Sequence, residues 1–222
     1  MTIYLTGVSS ELTRNAQRSD LGLLVTPASS VWRQTDHYGT WAADNGLYVE
    51  SKAGRPFDPD RWLAWLDRLP RTAVFVTLPD VLEWFVDPVT GRDVPIGNVD
   101  ATLERSARYV DTVRELGFRP ALVAQDGLTS LAQIGFTVDA LLVGGSDGYK
   151  LGPDAAALVG EANREGLWTH VGRVNSYKRL AYCASIGADS ADGTFVGFAP
   201  TENYGRLTGW LDRVNDHELV AV

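Results

Sequence analysis

Short apolar, β-prone runs recur along the chain: IYLTG from Ile3, LGLLVT from Leu21, TWAADN from Thr40, TAVFVTL from Thr72, PALVAQ from Pro120, DALLVGG from Asp139, LWTHVG from Leu167 and ADSADG from Ala188. Several are continuous rather than alternating, the pattern of parallel strands covered by helices. Between them the apolar spacing changes to that of a helix. Asp58 can cap a helix that has Pro59 at its first position, and Trp62, Trp65, Leu66 and Leu69 then share a face before Pro70. From Asn98 to Leu116, Val99, Leu103, Ala107, Val110 and Val113 keep helical spacing, and Gly117 suits the left-handed position past the end. Further helices are expected from Pro153 to Gly166 and from Ser176 to Ile186, the latter carrying Leu180 and Cys183 inward.

Eight strands alternating with helices predict parallel βαβ units closed into a (β/α)8 barrel. The chain has 222 residues, fewer than the roughly 250 usual for that fold, so some helices must be short, above all the one between the first two strands. An open doubly wound sheet is the competing architecture, and a GxGxxG turn after the first strand is missing. With 45% hydrophobic residues and glycines and prolines spread evenly, one domain over 1–222 is expected. No signal-like N-terminus or bilayer-spanning run is visible, which predicts a cytoplasmic protein with no membrane partner. Cys183 is the only cysteine, so an intramolecular disulfide or multi-cysteine zinc site is excluded, and its apolar surroundings predict a structural role. His37, His170 and His217 lack metal-ligand spacing, and no metal is expected.

In a barrel the chemistry gathers where strands end. Those positions hold Asp44 in AADNGLYVE, Asp80 in VTLPDVL, Gln125 in VAQDG, Gly144 and Gly145 in LVGGSDG, Arg173 and Asn175 in HVGRVNS, and Asp192 in DSADGT. Singly, each aspartate reads as a turn former, and GGSDG lacks the lysine and spacing of a phosphate loop. Together they bring three carboxylates, an amide and a glycine pair to one mouth.

In order and spacing, the segments ADNGLYVE, LPDVLEW, LVAQDG, VGGSDGYKLG and HVGRVNSYKRLAYCASIGADSADGT resemble the tRNA-guanine transglycosylases. They resemble most the shortened bacteriophage and bacterial relatives, the DpdA type, that insert 7-deazaguanines into DNA. The resemblance runs from the third strand onward. It implies that Asp192 is the nucleophile, Asp44 the general base and Tyr48 a ring stacked on the purine. It further implies that Asp80 and Gln125 read the base edges, while Gly144 and Gly145 let the main chain approach them. With Cys183 the only cysteine, the zinc subdomain of the tRNA enzymes is expected to be absent.

The chemistry asks for the same groups. Exchange of a base needs a nucleophile at the anomeric carbon that can also leave, which a carboxylate provides. A second carboxylate must take a proton from the incoming base. A buried carboxylate can accept from the N1 and N2 donors of a purine, and glycine permits close backbone approach.

The net charge of −8 argues against a broad polyanion-binding surface. Arg33, Lys52, Arg55, Lys150, Arg173, Lys178 and Arg179 nevertheless fall on or just after the loops that follow strands, predicting a basic mouth on an acidic body that contacts nucleic acid. The expected activity is exchange of guanine in DNA for a 7-deazaguanine such as 7-cyano-7-deazaguanine, with no cofactor. A duplex target would have to be flipped or melted. The alternatives are a tRNA enzyme, a catalytically silent barrel within a DNA modification complex, and a glycoside hydrolase.

Overall fold

The computed structural model describes residues 1–216. Strands β1 (Ile3–Thr6), β2 (Leu21–Val25), β3 (Trp41–Ala43) and β4 (Val76–Thr77) are followed by a hairpin of β5 (Leu82–Val86) and β6 (Asp93–Gly97). Strands β7 (Pro120–Ala124), β8 (Ala140–Val143), β9 (Trp168–Val171) and β10 (Ser190–Gly193) complete the set. All but the hairpin form one closed parallel barrel in the order β1-β10-β9-β8-β7-β4-β3-β2, with β2 returning to β1. Its eight strands coincide with the eight apolar runs.

Closure follows from the chemistry of those runs. Leu5, Leu24, Phe75, Val123 and Leu142 fill the barrel interior. Residues of opposite parity, such as Leu23, Val76, Leu122 and Leu141, pack outward against helices. The connection after β1 is the shortened one, helix α1 (Glu11–Asn15), and a 3-10 helix (Ser30–His37) follows β2. After β3 come α2 (Leu47–Lys52) and α3 (Pro59–Leu66). Asp58 caps α3 by accepting from the Arg61 N–H at 3.0 Å.

The single helix expected from Asn98 to Leu116 is two, α4 (Val99–Ala107) and α5 (Val110–Glu115). The break falls at Arg108 and Tyr109, where the Tyr109 ring meets Phe57 and Trp62 edge-on at 5.8 Å. Helices α6 (Asp147–Lys150) and α7 (Pro153–Arg164) follow β8, α8 (Tyr177–Ser185) follows β9, and α9 (Phe195–Phe198) and α10 (Pro200–Asp216) complete the described chain. Cys183 is a free, buried thiol on α8. No described helix is long and apolar enough to cross a membrane.

The β5–β6 hairpin was not expected. Its strands alternate poorly between buried and exposed positions, because the hairpin stands on the barrel rim. Its signal was the turn-forming stretch DPVTGRD between two β-prone runs.

Candidate active site

Asp44, Tyr48, Asp80, Gln125, Gly144, Gly145, Lys150, Arg173 and Asp192 all line one cavity of about 120 Å³ at the C-terminal mouth of the barrel. It is small beside the roughly 300–1,000 Å³ of drug-sized sites, so it suits one planar heterocycle better than a sugar chain.

Asp192 lies on β10, one residue before its end. A β-carbon on the following Gly193 would come within 2.4 Å of both the Asn175 Oδ1 and the Tyr4 hydroxyl, so only glycine lets β10 lie so close to the loop after β9. The two oxygens of Asp192 differ. Oδ1 is 3.1 Å from His170 Nε2 and accepts the Arg173 backbone N–H at 3.2 Å. Oδ2 has no partner among the described residues. Arg173 aims its N–H this way from a left-handed backbone, φ 61°, a conformation costly for a residue with a β-carbon.

His170 is fully buried on β9, paired in register with Ser190 and 5.3 Å from the Phe75 ring. Its Nδ1 lies 2.9 Å from Ser190 Oγ, which accepts the Trp168 indole N–H at 2.8 Å. An indole nitrogen can only donate, so Ser190 Oγ accepts from Trp168 and keeps its proton and a second lone pair for Nδ1. The Asp192 carboxylate can only accept, so Nε2 carries a proton and donates it to Oδ1. Sequence reasoning missed this residue: it considered His170 only as a metal ligand.

Asp44 follows β3. Its backbone N–H donates to the Val25 carbonyl at 2.8 Å. The Thr77 hydroxyl, which accepts the Asn45 N–H at 2.6 Å, donates to Asp44 Oδ1 at 3.3 Å. Burial, reinforced by the charges of Asp80 and Asp192, pushes the Asp44 carboxyl up to about 7 against the Thr77 bond and the Gly46 N–H. Gly46 has φ 76°, and a β-carbon there would sit 2.9 Å from Pro27 Cδ.

Asp80 is buried and held on both oxygens, by Asn45 Nδ2 at 3.1 Å and Gln125 Nε2 at 3.0 Å. Burial keeps its carboxyl above the usual range despite bonds from Asn45 and its own N–H and the nearby Arg105 charge. The Gln125 amide has one orientation. The Asp80 carboxylate can only accept, so Nε2 faces it, and Oε1 takes the proton of the Thr102 hydroxyl at 2.9 Å, which itself accepts the Val81 N–H at 2.9 Å. Asn45, Thr77 and Thr102 were not foreseen as parts of the site.

At the rim, Tyr48 lies between the Trp84 ring of the hairpin at 5.5 Å and the Arg173 guanidinium at 4.4 Å. Gly145 has φ 72°, and a β-carbon there would meet Asp126 Oδ2 at 2.5 Å.

The expected basic mouth is mostly neutralised. Lys150 is buried and bound to Asp147 at 3.0 Å, and Arg179 binds the same carboxylate. Although burial opposes it, these two cations hold the Asp147 carboxyl below its usual range. Arg55 is paired with Glu50. Lys52 and Lys178 are exposed on α2 and α8, outside the cavity lining, and Arg33 lines a different cavity. Asp189, the partner of Asp192 in the DSAD pattern, takes the Thr169 N–H at 2.8 Å and the Thr169 hydroxyl at 3.1 Å. His217 lies outside the described residues.

Among the described residues, no group of three or more His, Cys, Asp or Glu side chains is placed to hold a metal ion. No protein-family model matches the chain, and no curated protein is significantly similar to it.

Proposed function

We propose that this protein is a nucleic-acid guanine transglycosylase that exchanges guanine in DNA for a 7-deazaguanine base such as 7-cyano-7-deazaguanine. The observation that carries the reading is one aspartate with a single anchored oxygen, Asp192, sharing a base-sized cavity with a second aspartate poised near 7, Asp44. A carboxylate held on one oxygen has the other free to attack.

Asp192 Oδ2 would bond to C1′ of the target nucleotide as the C1′–N9 bond breaks, the electron pair leaving with guanine. Protonated Asp44 would donate the proton that N9 needs. The incoming base would then return a proton to Asp44 and attack C1′, breaking the C1′–O bond and restoring the Asp192 carboxylate. A group near 7 can serve both directions, as one residue must when the reaction runs through an intermediate and back. Asp80 would accept from the N1 and N2 donors of the base. Gln125 would have to give up its bond to Asp80 to donate to the base carbonyl.

Incubation of the protein with DNA, tRNA and labelled guanine or 7-cyano-7-deazaguanine, followed by nucleoside mass spectrometry, tests the reading. Label in DNA supports it, label in tRNA alone reassigns the substrate, and no label in either refutes exchange. Asp192→Asn should abolish both incorporation and the covalent adduct.

A further inference from the structure

A second cavity, of about 480 Å³, lies on the outer side of the barrel between the 3-10 helix after β2 and α3. Its walls include Ser30, Trp32, Arg33, Arg61, Trp65 and Arg68, and no carboxylate. Arg18, Arg55, Arg71, Arg108, Arg114 and Arg179 each hold an aspartate or glutamate. Among the described residues, Arg33 and Arg68 hold none. Their guanidiniums lie instead against the Trp32 ring, 4.7 and 4.9 Å from its centroid. The Arg61 charge is felt by Glu50, but that carboxylate is bonded to Arg55.

A guanidinium laid on an indole keeps its in-plane N–H donors unspent and is pre-oriented by the stack, so little more order is lost when an anion arrives. Two such forks, with Arg61 as a third guanidinium on the same open cavity, match the paired oxygens of phosphate groups. A smaller cavity lies between this one and the active site. Pro27 and Arg61 are shared with that smaller cavity, which Asn45 borders, and Asn45 lines the catalytic cavity as well.

We propose that this cavity is a phosphodiester subsite that grips the nucleic-acid backbone flanking the target nucleotide, through Arg33, Arg61 and Arg68. It rests on the nucleic-acid reading above and moves the free positive charge from the mouth to this neighbouring surface.

The test is equilibrium binding of a fluorescent single-stranded oligodeoxynucleotide over about 50–200 mM salt, to the intact wild-type chain, an Arg33→Gln/Arg68→Gln variant and Asp192→Asn. Each lost phosphate contact to a single strand removes about 0.7 from the slope of log K against log salt, so the double variant should lose about 1.4. Arg61→Gln should lose about a further 0.7 when added. All three arginines are exposed, and an unchanged thermal midpoint would confirm the fold. Asp192→Asn should bind as wild type does.

A wild-type slope in the double variant overturns the subsite even if base exchange is observed. Failure of the wild type to bind the oligonucleotide overturns it too. Inorganic phosphate or pyrophosphate that saturates the arginines at a millimolar level, with no slope change for the oligonucleotide, would assign the cavity to a free anion instead. Loss of slope in a protein that exchanges no base would retain the subsite and reject the transglycosylase reading.

Discussion

His170 offers the sharpest perturbation, because the carboxylate beside its Nε2 fixes the direction of that bond. Replacing it with leucine removes the Nε2–H that Asp192 Oδ1 accepts at 3.1 Å and puts an apolar side chain beside Phe75, where packing tolerates it. A hydrogen bond to a charged acceptor contributes about 1.5–3 kcal/mol. If that bond places Oδ2 for attack, the rate of forming the covalent intermediate falls about 10- to 150-fold, at about 1.36 kcal/mol per tenfold. His170→Gln, whose amide nitrogen can reach the same place, should recover most of the loss.

The assay is single-turnover release of guanine from DNA, with the Michaelis constant measured separately. A positioning role lowers the chemical step and leaves the Michaelis constant nearly unchanged, whereas a general loss of fold lowers everything together. Ser190→Ala takes away the hydroxyl that holds Nδ1 at 2.9 Å and should cost about 1 kcal/mol, roughly fivefold. Nitrogen NMR of the imidazole reads the tautomer without any reference to activity. A wild-type spectrum with the proton on Nδ1, or a leucine variant that reacts as fast as wild type, refutes the reasoning.

Two further outcomes test the same site. Asp44 titrates near 7 in the fold and near 3.9 when unfolded, so the native state binds the extra proton. Stability then falls as pH rises from about 4 to 7 and is level above. Asp44→Asn should therefore stabilise increasingly across that interval in urea denaturation, while abolishing exchange; a pH-independent effect would contradict the raised value. Gly193→Ala forces a β-carbon to 2.4 Å from Asn175 and Tyr4. It should cost about 1–3 kcal/mol and displace Asp192, and a crystal structure showing β10 unmoved at wild-type stability would refute the packing argument.

The barrel was legible because most of its strands are apolar on both faces, and a run such as DALLVGG announces that without reference to its neighbours. The rim residues were legible for the same reason: once strand ends are known, Asp44, Asp80, Gln125 and Asp192 fall at the mouth. Their partners were not. Asn45, Thr77 and Thr102 bind across strands or to a helix, and His170 meets Asp192 only because the register pairs Ser190 with His170. No local pattern encodes that register. The charge at the mouth failed as a sequence inference for a similar reason: whether Lys150 and Arg179 are free depends on where Asp147 points, and it binds both.

The two aspartates of DSAD show how far a period of two can reach. Asp189 stands directly before β10 and Asp192 on it, three residues apart in extended chain, so they face opposite sides of the sheet. Asp192 shares its parity with Ser190 and lines the cavity inside the mouth. Asp189 has the other parity and spends one oxygen on Thr169, whose hydroxyl in turn meets Asn163 of α7 at 3.2 Å. Chemistry at Asp192 and anchorage at Asp189 are therefore separable. Asp189→Asn should loosen the seam between β9, β10 and α7 without changing the hydrogen bonds that hold Asp192 Oδ1.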